Sequence, residues 1–180
     1  MFIHQIDEKV ALRLIEPRDA ECLFALTDAS RPYLREYLPW VDHTKKVDDT
    51  KAFVDSCRKG YAENKSLTAV IQFEGEVAGV VSFNQLDWTN RTAHIGYWLG
   101  EGYQGNGLMT KAVRALTNYA LRDLGFRKAE VRAAVDNQKS RAIPERLGFV
   151  KEGGIRQAER LGARYVDHVV YGMLDEEWQG

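Results

Sequence analysis

A run of eleven residues offers the clearest chemistry in this chain: Gly100, Glu101, Gly102, Tyr103, Gln104, Gly105, Asn106, Gly107, Leu108, Met109 and Thr110. A glycine-rich turn can aim several backbone N–H groups at one anion, and a helix starting behind it adds unpaired donors and the positive end of its dipole. Such a segment reads as a phosphate cradle, although surface turns also collect Gly and Asn. The phosphate loop of nucleotide triphosphatases ends in Gly-Lys-Ser/Thr, whereas Gly107-Leu108-Met109 stands here, so that motif is absent. A dinucleotide fingerprint wants an acidic residue about twenty positions further on within a parallel strand–helix–strand unit, and Asp123 and Glu130 keep that reading open.

The cradle needs a strand before it and a helix behind it, and the pattern supplies both. Residues 93–99 (AHIGYWL) read as a strand, while Leu108, Ala112, Val113, Leu116, Ala120 and Leu124 share one helical face that Gly125 terminates. Upstream, 10–14 alternates like a strand and a helix starts at Pro17, carrying Leu23, Phe24 and Leu26. The aromatic stretch 30–40 is either a core-packing helix or one wall of a ligand site. A helix over 48–64 follows, then strands over 67–73, 77–83 and 93–99 joined by short turns, which is an antiparallel meander. Beyond the long helix, 128–135 reads as a strand, 140–147 as a short helix, and 150–157 with 166–174 as a closing strand pair. The fold class expected is α/β (α+β): a mixed, mostly antiparallel sheet of about seven strands with helices on both faces and one crossover at the cradle.

With 180 residues, 44% hydrophobic and 28% charged, the composition is that of one folded domain, taken as 1–180, rather than a disordered chain. A net charge of -1 and a pI near 6.4 argue against direct nucleic-acid binding. No apolar run approaches the roughly eighteen residues that span a bilayer, and Met1-Phe2-Ile3-His4-Gln5 lacks an export signal; a cytoplasmic protein with no membrane partner is expected. Cys22 and Cys57 lie in helical patterns and read as reduced, packed thiols, and no metal site is evident.

Tyr103-Gln104-Gly105-Asn106-Gly107, followed by Val135-Asp136-Asn137-Gln138-Lys139-Ser140 and Arg146-Leu147-Gly148-Phe149, resembles the GNAT acetyltransferases over nearly the whole chain. Within that family, the Ile-Gly-Tyr-Trp-Leu of 95–99, the Asp-Asn-Gln-Lys-Ser of 136–140 and Gln157-Ala158-Glu159 resemble the bacterial ribosomal-protein N-terminal acetyltransferases. The family signature Gln/Arg-x-x-Gly-x-Gly/Ala maps onto Gln104, Gly107 and Met109, with Met109 departing from the small residue. N–H donors need no particular side chain, so cofactor binding is expected to survive that departure.

The resemblance implies acetyl-CoA as acetyl donor, held by Gln104, Gly105, Asn106, Gly107, Leu108, Met109 and Thr110. It further implies a gap in the sheet beside Tyr97, where Trp98 and Leu99 face pantetheine; Asn137 either pairs with pantetheine or shapes the turn. Many relatives place a general-acid tyrosine where Pro144 stands here; the resemblance nominates Ser140 instead as proton donor to the coenzyme A sulfur, while as a residue type at a helix start Ser140 also reads as an N-cap. Glu159 is nominated as general base for the incoming amine, against an alternative as a solvated loop charge. His94, on the strand leading to the gap, is a second base candidate with a structural role as its alternative. Tyr33, Tyr37 and Trp40 are candidates for lining a peptide groove, and Asp167 with His168 either forms a polar pair, binds the acceptor amine or serves a surface or turn role.

An α-amine titrates near about 8 and a lysine near about 10.4, so at neutral pH the neutral nucleophile is much more available at a protein N-terminus. This favours a protein N-terminal α-amine as acceptor, and the resemblance implies that of a ribosomal protein, acetylated by direct attack. A small amine such as a polyamine, aminoglycoside or amino acid, and a non-catalytic acyl-CoA sensor, are the alternatives. An edge strand near the C-terminus suits a homodimer or higher homo-oligomer.

Overall fold

The computed structural model describes residues 3–180. Its backbone is one eight-stranded sheet: β1 (Ile3–Gln5), β2 (Val10–Leu14), β3 (Leu67–Phe73), β4 (Glu76–Asp87), β5 (Thr92–Leu99), β6 (Lys128–Ala134), β7 (Val150–Leu161) and β8 (Arg164–Leu174). The strands lie in the order β1-β2-β3-β4-β5-β6-β8-β7, and every neighbouring pair is antiparallel except β5 with β6. The sequence pattern missed β1, whose three exposed residues carry no alternation to read.

Helices cover both faces. On one side α1 (Ala20–Ala29), the short α2 (Arg31–Leu34) and α3 (Val47–Ala62) pack over the first half of the sheet through Leu23, Val54, Val70 and Val80. Arg13 on β2 anchors the start of α1 with a two-pronged ion pair to Asp19, Nη1 to Oδ2 at 3.0 Å, and both side chains are buried. On the other side α4 (Leu108–Asn118), continued by a π-helical turn over Tyr119–Asp123, presses Leu108, Ala112, Val113 and Leu116 against Phe83, Ile95 and Val131. The helix α5 (Gln138–Arg146) joins the same layer through Ile143. Apolar residues at three- and four-residue spacing give α4 its buried stripe, and Gly125, at φ 69°, ends the helical run.

Two departures from the expected elements shape the candidate site. β4 runs on to Asp87 through a bulge between Phe83 and Gln85. β7 extends to Leu161 rather than stopping at 157, so Glu159 lies in a strand and not in a loop. Cys57 is buried as expected, but Cys22 is exposed on α1 with its Sγ against the Asp19 carbonyl. Desolvation of the sulfur raises both thiols above their ordinary pKa, at Cys22 because the Sγ is tucked against the backbone although the residue is exposed, with Asp19 adding to the effect, so neither is a ready thiolate.

Candidate active site

The parallel pair β5–β6 is short. It runs only from Thr92↔Lys128 to Ile95↔Val131; beyond this β5 continues along β4, while β6 continues along β8. The sheet therefore opens beside Gly96, Tyr97, Trp98 and Leu99, and on that edge their backbone groups lack a strand partner. Residues 100–107 cross the mouth of this opening. Gly105 and Gly107 take φ of 80° and 68°, left-handed values that glycine adopts without strain. Among the described residues, the backbone N–H groups of 105–110 donate to no protein acceptor, so six donors are left free at the start of α4.

Side chains around the loop hold its shape. Asn106 Nδ2 donates to the carbonyls of Tyr103 (3.2 Å) and Gln104 (3.3 Å), and Ser30 Oγ accepts from Glu101 N at 3.0 Å. Lys139 Nζ donates to Gln104 Oε1 at 3.0 Å and lies 5.4 Å from the centre of the Tyr33 ring, tying the loop to the start of α5. Leu108 and Met109 point into the core. Their N–H groups alone face the mouth, which explains how a methionine stands where the family signature has a small residue.

At α5 the structure reassigns one role. Asn137 is the N-cap, its Oδ1 accepting from Ser140 N at 3.1 Å, so Ser140 is not the cap. The Ser140 hydroxyl lies 3.4 Å from the Tyr97 hydroxyl, which itself donates to the Ser140 carbonyl at 3.0 Å. Burial pushes the Tyr97 phenol far up, so it stays protonated throughout the neutral range. The sequence missed this second hydroxyl: Tyr97 from β5 reaches the helix on which Pro144 replaces the family tyrosine.

Beneath α1 and α3, a cavity of about 560 Å³ opens on the other face of the sheet. Its walls carry Trp40, Trp98, Phe53 and Cys57 and several hydroxyls, among them Thr27, Thr50, Thr68 and Ser82, with Asn84. Glu159 is the one charged side chain in its lining. The rings of Trp40 and Trp98 meet at 5.6 Å and 56°.

A second bulge puts Glu159 there. Ile155 pairs with His168, and an unbroken register would set Glu159 opposite Arg164 at the hairpin tip. Instead Gln157 turns left-handed at φ 49° and Glu159 falls opposite Val166. Asp167 Oδ1 accepts from Gln157 N at 2.7 Å and so holds the bulge; it does not line the cavity. Glu159 Oε2 meets His168 Nε2 at 3.0 Å, a partner nine positions away that no spacing rule reveals.

The remaining candidates separate. His94 sits on β5 before the opening, paired with the buried Glu130 at 3.2 Å, in a cluster with Lys128 and Arg132 that lies outside the cavity lining. Tyr33 lies at the loop, and Tyr37 packs beside Arg164 in a small cluster with Leu161 and Val166. Of the three aromatic candidates only Trp40 reaches the cavity. The arrangement as a whole offers an anion cradle and an open strand edge on one side, a cavity with a carboxylate on the other, and hydroxyls where the opening passes α5. That is the equipment for moving an acyl group from a long phosphate-bearing carrier to an amine.

Comparison with known proteins bears on this geometry. The acetyltransferase (GNAT) domain family matches residues 9–150. The YdaF protein of Bacillus subtilis (strain 168) is 35% identical over 181 residues, covering 100% of this chain and 99% of that protein. The ribosomal-protein-serine acetyltransferase of Escherichia coli (strain K12) is 30% identical, covering 94% and 95% respectively. Among solved structures, RimL, a ribosomal L7/L12 alpha-N-protein acetyltransferase in complex with coenzyme A, superposes with a TM-score of 0.93 at 29% identity, covering 96% of this chain and 98% of that one.

Proposed function

The chain belongs to the GNAT family of acetyl-CoA-dependent N-acetyltransferases, and from that premise we propose that it acetylates the N-terminal α-amine of a protein, with ribosomal proteins as the acceptor class. The observation that carries this reading is the cavity whose one charged lining residue, Glu159, shares its wall with Tyr97 and Trp98 at the sheet opening. The names of the relatives support the ribosomal class.

The donor supplies a thioester-bound acetyl group. The free N–H groups of 105–110 receive its phosphates, helped by the ordered Gln104 and Asn106. The open edge at Trp98 and Leu99 pairs with its amide-bearing arm, and Asn137 completes α5 beside it. Donors on that edge face the carbonyl oxygen, where negative charge grows as the amine attacks.

Glu159 draws the proton from the incoming ammonium, directly or through water, and His168 fixes the carboxylate for that task. Ser140, with Tyr97 behind it, supplies the proton that the departing thiolate needs. His94 is engaged by Glu130 and takes no part.

A thiol-release assay with acetyl-CoA tests the reading. Peptides with free Ser or Ala N-termini should turn over, and the same peptides blocked at the amine should not. Turnover of spermine in place of the peptides overturns it in favour of a small-amine enzyme.

A further inference from the structure

One carboxamide in the cavity wall is placed with more care than acyl transfer alone demands. The bulge in β4 leaves Asn84 without an opposite residue, since Phe83 pairs with Ile95 and Gln85 with His94. Its side chain lies flat over Gly96, where a Cβ would stand 2.1 Å from Asn84 Nδ2 and 2.8 Å from Cγ and Oδ1. Ser82 Oγ lies 2.6 Å from Asn84 Oδ1 and 3.3 Å from the Gly96 carbonyl and donates to the nearer oxygen, which leaves the amide nitrogen on the other side. Asn84 Nδ2 has no acceptor among the described residues, and the residue lines the same cavity as Glu159 and Trp98.

We infer that Asn84 positions the acceptor by donating a hydrogen bond from Nδ2 to the carbonyl oxygen of the acceptor's first residue. This rests on the acceptor reading of the cavity. An α-amino acyl group carries its carbonyl one carbon away from the amine, so one residue can present nitrogen toward Glu159 and oxygen toward Asn84. That two-point hold selects peptides and amino-acyl compounds over amines that have no carbonyl. A polyamine offers Asn84 Nδ2 no acceptor and so gains one hydrogen bond fewer than a peptide does.

The test compares steady-state kinetics of the wild type, Asn84→Ala and Asn84→Asp on a Ser-leading tripeptide and on spermidine. Asp keeps the size and the Ser82 contact but removes the donor. Asn84→Ala should raise the tripeptide KM roughly five- to tenfold, the loss expected for one neutral hydrogen bond, with kcat and the spermidine KM unchanged; in Asn84→Asp the new carboxylate attracts both cationic amines, so its tripeptide KM is read relative to its spermidine KM, and that ratio should rise by the same factor. Calorimetric titration with acetyl-CoA should give the same affinity in all three, which shows that the fold is retained. A tripeptide KM that stays put, or a rise of equal size for spermidine, overturns the role of Asn84 while leaving the proposed function standing. A wild-type enzyme that turns over spermidine and not the tripeptide overturns both.

Discussion

Ser140→Ala separates a structural hydroxyl from a chemical one, because Asn137 caps α5 and the Ser140 hydroxyl is free of that duty. Its side-chain contact is the 3.4 Å approach to the Tyr97 hydroxyl, at the long limit of hydrogen bonding. Losing it should cost at most about 0.5 kcal/mol, which for a domain of this size moves Tm by roughly 1–2 °C. If the hydroxyl protonates the leaving thiolate, its removal should lower kcat by about 100-fold or more, with the KM for acetyl-CoA nearly unchanged. Thiol release at saturating acetyl-CoA and a thermal melt read the two effects in one preparation. Tyr97, kept protonated by burial, is the group that could stand in, so Tyr97→Phe in the Ser140→Ala background should remove what activity is left. A single variant that retains kcat within about threefold, a loss far below that of a working general acid, refutes the assignment of Ser140. A fall in kcat accompanied by a Tm drop above about 4 °C, the equivalent of roughly 1 kcal/mol, would return Ser140 to a structural role.

Two other substitutions probe the cradle and the base. Gly107→Val puts a β-branched residue at φ 68°, a strain of about 1–2 kcal/mol that is relieved only by rotating the loop; no heavy atom lies within 4 Å of the added Cβ, so the effect is on the backbone. Calorimetry should find acetyl-CoA binding lost, and an unchanged Kd would retire the cradle. Glu159→Gln keeps the shape and a polar contact to His168 but cannot take a proton, so kcat should fall by about 100-fold at pH 7 while acetyl-CoA affinity is kept. Undiminished turnover would remove Glu159 from the reaction.

The regular parts of the molecule are readable from sequence because burial imposes a period. The α4 stripe of Leu108, Ala112, Val113 and Leu116 and the apolar runs of β3 and β5 need only that rule, and they suffice to set the loop between a strand and a helix. β1 escapes it because Ile3, His4 and Gln5 are all exposed. Cys22 misleads because its helical spacing suits a buried face, yet the helix turns that residue outward. The partners that give Glu159 and Ser140 their settings are His168 and Tyr97, and no local pattern links residues that only the folded sheet brings together.

In the proposed mechanism the least readable features carry most of the chemistry, and the reason is geometric. An unbroken strand sends alternate side chains to opposite faces at a fixed pitch and satisfies its own backbone, so it has neither free donors nor latitude to re-aim a residue. This site uses four breaks in that regularity. β5 and β6 part after Ile95 and leave an open edge; Gly105 and Gly107 turn left-handed and free the donors at α4. The β4 bulge lays Asn84 over Gly96, and the β7 bulge, braced by Asp167, carries Glu159 from the hairpin tip to the cavity beside His168. Asp167→Ala removes the acceptor that holds the Gln157 N–H in the bulge, so Glu159 should lose its fixed place beside His168 and kcat should fall by about tenfold with acetyl-CoA affinity kept. Undiminished turnover would mean that the bulge does not set the position of Glu159.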